Sequence, residues 1–186
     1  WNAVAADGID FAMVRVGNRG YTEGALYADE RYAENIDNAT SAGLDVGAYF
    51  FSQAVTPDEA REEADFVLEL LAGRPLDLPV AFDHEPVSDN AGRANHLTGP
   101  ELAACARAFC ERIEQAGYET LVYGNKRDIA RFGGDDLDGR PVWFAEYDMA
   151  VPTGQFDFVM WQYTSTGTVA GISTRVDLNI RFAAAG

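Results

Sequence analysis

The feature that most constrains the fold is a pattern that occurs four times, in which a helix-like segment ends in glycine and an apolar run follows. Glycine suits the left-handed conformation that commonly closes a helix. The runs after the glycines are rich in Val, Tyr, Phe and Leu, which favour strands. The glycines are Gly8, Gly43, Gly73 and Gly117, and the runs cover residues 11–17, 46–53, 78–83 and 120–123. Strands should therefore alternate with helices and lie parallel, joined by right-handed crossovers.

Two of the helices have recognisable first turns. Thr56 is followed three residues later by Glu59, and Thr98 by Glu101, which is the spacing of a capping box. Behind each box, apolar residues repeat at the spacing of one helix face. These two apolar faces should pack on a sheet.

The pattern changes after residue 123. A short helix is predicted over 126–132, followed by strands over 142–147, 156–164 and 175–180. A parallel crossover needs about a dozen residues or more. The gaps at 149–155 and 166–174 are shorter than that, so these last three strands are expected to pair antiparallel.

The N-terminal residues bear on how the sheet closes. Residues 1–6 resemble the last turns of a helix, and no strand comes before them. Seven strands are predicted, so one more strand upstream of Trp1 would complete an irregular, TIM-like α/β barrel. We therefore expect residues 1–186 to form a single catalytic domain that lacks its N-terminal strand.

Composition limits the ligands and cofactors. The chain has 30 acidic and 14 basic residues, and its formal charge of -16 should repel nucleic acid and anionic membrane surfaces. Cys105 and Cys110 lie about 140° apart around a helix axis, which disfavours a disulfide between them. His84 and His96 are the two histidines, too few for a three-histidine metal centre. We expect a monomer with neither metal nor cofactor.

The strongest candidates for chemistry are Asp83 and Glu85, at the end of the apolar run 78–83. Side chains two positions apart in a strand point to the same face. In a barrel, active sites gather at the carboxyl ends of the strands. Two neighbouring carboxylates raise each other's proton affinity, so one can act as an acid while the other is ionised. A solvated strand end is the plain alternative.

A second acidic position is Asp177, inside a strand-like run that also holds Asn179 on the same face. Arg15 is a charge within an apolar strand and is interpreted as an ion-pair partner of an inward carboxylate. Aromatic and amide side chains near the ends of the predicted strands are candidates for contacts to sugar rings, although buried packing is the more common reason for aromatic residues in strands. These substrate-binding candidates are Tyr49, Phe51, Tyr123, Tyr147, Trp161 and Gln162.

Several blocks of sequence, taken together and in order, resemble glycoside hydrolase family 25, the Chalaropsis-type lysozymes. The blocks are residues 8–15, 43–51, 82–85, 142–147, 161–165 and 176–179. The resemblance implies a (β/α)5(β)3 barrel, in agreement with the argument from gap lengths. It also implies an N-acetylmuramidase that cleaves the β-1,4 bond between N-acetylmuramic acid and N-acetylglucosamine of bacterial peptidoglycan. Such a protein would act outside the cell or on the cell wall.

The resemblance assigns roles to three carboxylates. Glu85 matches the acid/base, Asp83 the neighbouring carboxylate, and Asp177 the aspartate of the last strand. Because Asp83 and Asp177 would be anionic beside it, the pKa of Glu85 should be raised. Asp83 either attacks the anomeric carbon or orients the substrate's own 2-acetamido group to do so. The family's first strand, which carries a further aspartate, has no counterpart in this sequence, so a noncatalytic glycan-binding domain is the alternative.

Overall fold

The computed structural model describes residues 1–88, 91–133 and 137–182. Its helices are α1 (Asn2–Ala6), α2 (Tyr32–Ser41), α3 (Pro57–Leu71), α4 (Gly99–Glu114) and α5 (Lys126–Phe132). Its strands are β1 (Phe11–Arg19), β2 (Leu26–Ala28), β3 (Asp45–Phe51), β4 (Val80–Asp83), β5 (Thr120–Asn125), β6 (Val142–Ala145), β7 (Met160–Gly167) and β8 (Val176–Arg181). The predicted alternation of strands and helices is confirmed as far as α5.

All eight strands form one sheet in the order β2-β1-β3-β4-β5-β6-β7-β8. The strands from β1 to β7 in this order are parallel, and the two edge strands, β2 and β8, are antiparallel to their neighbours. The sheet curls, so residues of β1 and β8 line one cavity, yet within the described ranges these two strands do not pair. The molecule is an α/β half-barrel that is open between β1 and β8.

Two features of this topology differ from the prediction. β6 and β7 are parallel, so the expected antiparallel pairing of the last three strands is wrong for that pair and correct only for β7 with β8. The reason is that β7 begins at Met160, which leaves 14 residues (146–159) after β6, enough for a parallel connection. The short edge strand β2 was not predicted, because three residues carry too little pattern.

The two faces of the sheet pack differently. The outward side chains form a core with the helices, in which Phe50, Phe82 and Phe109 are fully buried. The inward side chains form a second, smaller cluster: Ala81, Leu121, Tyr123, Trp143, Ala145 and Met160. The outer core stabilises the fold, and the inner face of the sheet remains available for a functional site.

Local signals for helix ends were mostly correct. Gly8, Gly43, Gly73 and Gly117 all have positive φ angles, as the cap prediction requires. At α4 the backbone N–H of Thr98 donates to the Glu101 carboxylate at 2.9 Å. At α3 the box is only half formed, because the carboxylate of Glu59 accepts from the backbone of Val55 instead.

A buried ion pair joins β1 to α3. The guanidinium of Arg19 donates from Nε to Oε1 of Glu63 at 2.8 Å, and the Glu63 side chain is fully buried. The other carboxylate oxygen of Glu63 accepts from the Ser52 hydroxyl at 2.6 Å, and Oε1 also accepts from the backbone N–H of Gln53 at 3.3 Å. The carboxylate therefore ties the residues after β3 to both α3 and β1.

We predict that Glu63→Ala lowers the free energy of unfolding by about 3–5 kcal/mol, because it leaves Arg19 buried without its counter-charge. Glu62 is the matched control, since its carboxylate also contacts Arg19, at 3.2 Å, but is 64% exposed. Glu62→Ala should cost less than about 1 kcal/mol. Urea unfolding followed by circular dichroism measures both variants, and equal losses would contradict a special role for Glu63.

Candidate active site

The structure brings the three predicted carboxylates into one cavity. Asp83 is the last residue of β4, Glu85 follows two positions later, and Asp177 lies near the start of β8. β8 runs antiparallel to β7, so its start lies at the same end of the sheet as the end of β4. All three residues line a cavity of about 710 Å³ that also reaches the opening between β1 and β8.

The backbone that carries Asp83 and Glu85 is held by the residues after β3. The N–H of Ser52 donates to the carbonyl oxygen of Asp83 at 2.7 Å. The side-chain amide of Gln53 donates from Nε2 to the carbonyl oxygen of Glu85 at 3.1 Å. Nδ1 of His84 lies 3.2 Å from the carbonyl oxygen of Ser52. Hydrogen bonds from neighbouring chain segments therefore fix all three residues from 83 to 85.

The environment favours the protonated forms of these carboxyl groups. Burial, followed by the charge of Glu85, raises the pKa of Asp83 well above its usual range, with Arg15 opposing. Burial also raises the pKa of Glu85, and Asp128 and Asp177 add to the effect. The shift of Glu85 has the predicted direction but not all of the predicted causes, because burial contributes most and Asp128 acts where Asp83 was expected to. The pair should titrate together, with protons lost in steps that belong to both groups.

Asp128 is a fourth carboxylate that the sequence analysis missed. It lies in the first turn of α5, which follows β5 without a loop and so stands beside the end of β4. Its side chain is 2% exposed, and Oδ2 is buried without a hydrogen-bond partner among the described residues. Aspartate is common in the first turn of a helix, where its negative charge interacts favourably with the helix dipole. Nothing in the sequence therefore marks Asp128 as a residue of the site.

We predict that Asp128→Asn lowers the pKa of Glu85, because it removes the nearby charge that most disfavours ionisation of Glu85. A carbon-13 NMR titration of the Glu85 carboxyl group measures the change. Asp58→Asn is the control, since it removes one charge from a side chain that is 92% exposed on α3. The same pKa of Glu85 in both variants would show that Asp128 does not act on it.

Aromatic residues form one wall of the cavity. The ring of Trp143 meets Tyr123 edge-on at 4.8 Å between centroids, and Tyr49 at 6.0 Å. The indole Nε1 of Trp143 donates to Oδ1 of Asn179 at 2.8 Å. The three rings thus fix one another beside Asp83, as aromatic pairs with this geometry do. Tyr49 and Tyr123 lie where the sequence analysis expected contacts to sugar.

Gln162 is held by two phenols. Its Oε1 accepts from the hydroxyl of Tyr123 at 2.8 Å and from that of Tyr147 at 2.5 Å. Gln162 and Tyr123 line the cavity, while Tyr147 is 41% exposed beside it. These placements are consistent with the three predicted substrate contacts.

Two other predicted contacts lie outside the cavity lining. Phe51 pairs in register with Asp83 and lies half-buried on the inner face. Trp161 points to the outer core, is 6% exposed, and donates from Nε1 to the carbonyl oxygen of Glu146 at 2.9 Å. Adjacent residues of a strand face opposite sides, so Trp161 and Gln162 cannot both face the cleft. The position of Trp161 does not support its role as a sugar contact.

The remaining candidates have structural partners. Arg15 forms the expected ion pair with a carboxylate, that of Asp29, which follows β2, at 2.8 Å. His84 is fully buried, and burial lowers its pKa to about 4. Across residues 1–88, 91–133 and 137–182, no group of three or more His, Cys, Asp and Glu could hold a metal ion. In the same ranges no helix is long and apolar enough to cross a membrane.

Known proteins are similar to this chain in sequence and in fold. The chain is 28% identical over 183 residues to an autolytic lysozyme of Clostridium acetobutylicum, covering 96% of this chain and 51% of that protein. It is 27% identical to a lysozyme of Streptomyces globisporus, covering 96% of this chain and 62% of that protein. It therefore spans between half and two thirds of these relatives. The crystal structure of the bacterial lysozyme from Streptomyces coelicolor superimposes with a TM-score of 0.80 at 25% identity, covering 100% of this chain and 87% of that one.

A family model also matches most of the chain. Residues 1–172 match the family described as Glycosyl hydrolases family 25, which includes most of the fold and both carboxylates of the β4 end. The open α/β half-barrel and the carboxylates at one end of its sheet agree with this match. The chain belongs to glycosyl hydrolase family 25.

Proposed function

We propose that this protein hydrolyses the glycan strands of bacterial peptidoglycan at the β-1,4 bond between N-acetylmuramic acid and N-acetylglucosamine. The observation that carries the proposal is the convergence of Asp83, Glu85 and Asp177 on one cavity. The lysozymes among its relatives support the substrate class. The net charge of -16 suits a glycan better than a polyanion.

Glu85 is assigned the role of acid and base. Its raised pKa keeps a proton available for the oxygen of the leaving sugar. After that proton is transferred, the carboxylate can accept a proton from the water that completes hydrolysis. Gln53 fixes the backbone of Glu85, so the carboxyl group starts from a defined position.

Asp83 has two possible roles, both of which retain the anomeric configuration. It can attack the anomeric carbon, or it can orient the 2-acetamido group of the substrate for that attack. Asp83 lines the cavity, and its Oδ1 is buried without a hydrogen-bond partner among the described residues. Substrates with a progressively fluorinated acetyl group distinguish the routes, because a steep fall in rate indicates attack by the acetamido oxygen, and a flat response indicates Asp83.

We predict that Glu85→Gln lowers the rate of peptidoglycan lysis by about 100-fold or more, the usual scale of a general acid, because the amide has no proton to transfer. The thermal midpoint should change little. Glu69→Gln is the control, since Glu69 is exposed on α3. Loss of turbidity of a cell-wall suspension measures lysis. Near-normal lysis by folded Glu85→Gln removes Glu85 from the acid role, and bound but unlysed wall with the wild-type protein favours the noncatalytic alternative.

The pH dependence of the rate should be bell-shaped. Activity requires the proton on Glu85, so it should be lost as pH rises through the raised pKa of that group, above the usual range of glutamate. The acidic limb reports protonation of the carboxylate partners. Initial rates on soluble glycan across the pH range test this, and an alkaline limb at the ordinary pKa of glutamate would contradict it.

We also propose that one further strand fills the opening between β1 and β8 in the intact protein. Along residues 11–16 the outer edge of β1 lacks a strand partner among the described residues, as does the outer edge of β8. Strand edges of this kind are usually paired or covered. Hydrogen exchange at Met13 should slow when a segment preceding Trp1 is present, and unchanged exchange would contradict the proposal.

The place of action follows from the substrate. Peptidoglycan lies outside the cytoplasm, so we infer that the protein works at the cell wall or outside the cell, as a monomer. Sedimentation at working concentration tests this state.

A further inference from the structure

One row of register pairs crosses the inner face of the sheet toward the site. Tyr27 of β2 pairs with Asn18, Asn18 with Phe51, Phe51 with Asp83, and Asp83 with Tyr123. Residues in direct register place their side chains on the same face of a sheet. Tyr27 therefore belongs to the same row as the catalytic aspartate, at the far edge of the sheet.

The neighbours of Tyr27 confirm which way it points. Leu26, the residue before it, packs against the outer core and pairs with Arg19. Arg19 in turn is buried against Glu63 of α3 on the outer face. Since side chains alternate along a strand, Tyr27 faces inward, toward the side of the sheet that holds the cavity.

The ring of Tyr27 is both supported and accessible. Glu23 lies beside the Tyr27 hydroxyl and raises the pKa of that group. The ring lies close over Gly20, where an added Cβ would stand 3.2 Å from the ring carbon Cε2. Even so, Tyr27 is 49% exposed. An aromatic side chain that is oriented before binding loses little freedom when a ligand stacks on it.

The distance from the catalytic residues defines what could bind there. Three strand spacings separate β2 from β4, so Tyr27 lies about 14 Å from Asp83 along the row. That is too far for contact with the sugar that is cleaved. A glycan strand lying along the row would pass Phe51 and Asn18 before reaching Tyr27.

We propose that Tyr27 is the outer platform of an extended glycan subsite, formed with Phe51 and Asn18, which stacks on a sugar several residues from the scissile bond. The ligand class is a β-1,4-linked N-acetylhexosamine strand, and the proposal rests on the function proposed above. Glu23 beside the ring disfavours a free carboxylate on the sugar that stacks there.

The test compares long and short substrates. With soluble, uncrosslinked glycan strands and with short oligosaccharides cut from them, Tyr27→Ala should raise KM for the long strands about 3- to 10-fold more than for the short ones. Tyr27→Phe, which keeps the ring, should restore most of the difference. Tyr21→Ala is the matched control, because Tyr21 is also 49% exposed on the same hairpin but lies outside the row.

Each outcome decides the proposal. An equal change of KM on both substrates, or the same change in Tyr21→Ala, overturns the subsite. If the wild-type protein hydrolyses neither substrate, the proposed function fails, and calorimetric binding of the long strands then tests the subsite separately. Weaker binding by Tyr27→Ala than by Tyr21→Ala supports it, and equal binding overturns it.

Discussion

The buried contact between Arg19 and Glu63 is the constraint on which the geometry of the site depends. Glu63 holds Ser52 and Gln53, and these two residues hold the backbone of Asp83 and Glu85. Helix α3 thereby positions carboxylates that it does not touch. This arrangement makes the fold sensitive to loss of either residue, because a buried charge without its partner strongly destabilises a fold. The hydrogen bonds of this chain also specify one arrangement, since its members cannot shift without breaking them.

Much of the fold and part of the site could be predicted because they depend on local pattern. Strand alternation placed Asp83 and Glu85 on one face, and the glycine signals located the helix ends. Tertiary context decided the rest. Asp128 is indistinguishable in sequence from an aspartate that favours a helix start, and only its burial beside β4 gives it another meaning. Trp161 and Gln162 are neighbours in sequence, but the pleat of β7 sends their side chains to opposite faces, so a cluster of residues in the sequence does not show which of them reaches the cleft.

The buried carboxyl groups around the cavity destabilise the fold. Asp83 and Asp128 each bury a carboxyl oxygen that has no hydrogen-bond partner in the described part of the chain. Groups of this kind are costly in a folded protein and are found where function requires them. The proximity of these two residues to Glu85 explains why the cost is tolerated. Mutual repulsion and low solvation raise the pKa values of these carboxyl groups, so the groups keep protons that they would lose in water. The surrounding apolar core compensates for this local loss.

The pair of phenols on Gln162 has a consequence for ligand choice. Oε1 of Gln162 accepts from the hydroxyl of Tyr147 at 2.5 Å. Tyr123 donates to the same atom, so a flip of the amide would require both hydrogen bonds to reverse their direction. The amide nitrogen is left to face away from the phenols. At this point the cleft offers a hydrogen-bond donor that can donate to a carbonyl oxygen of a ligand, whereas an ammonium group in the same place could only donate and would find no acceptor in the amide nitrogen.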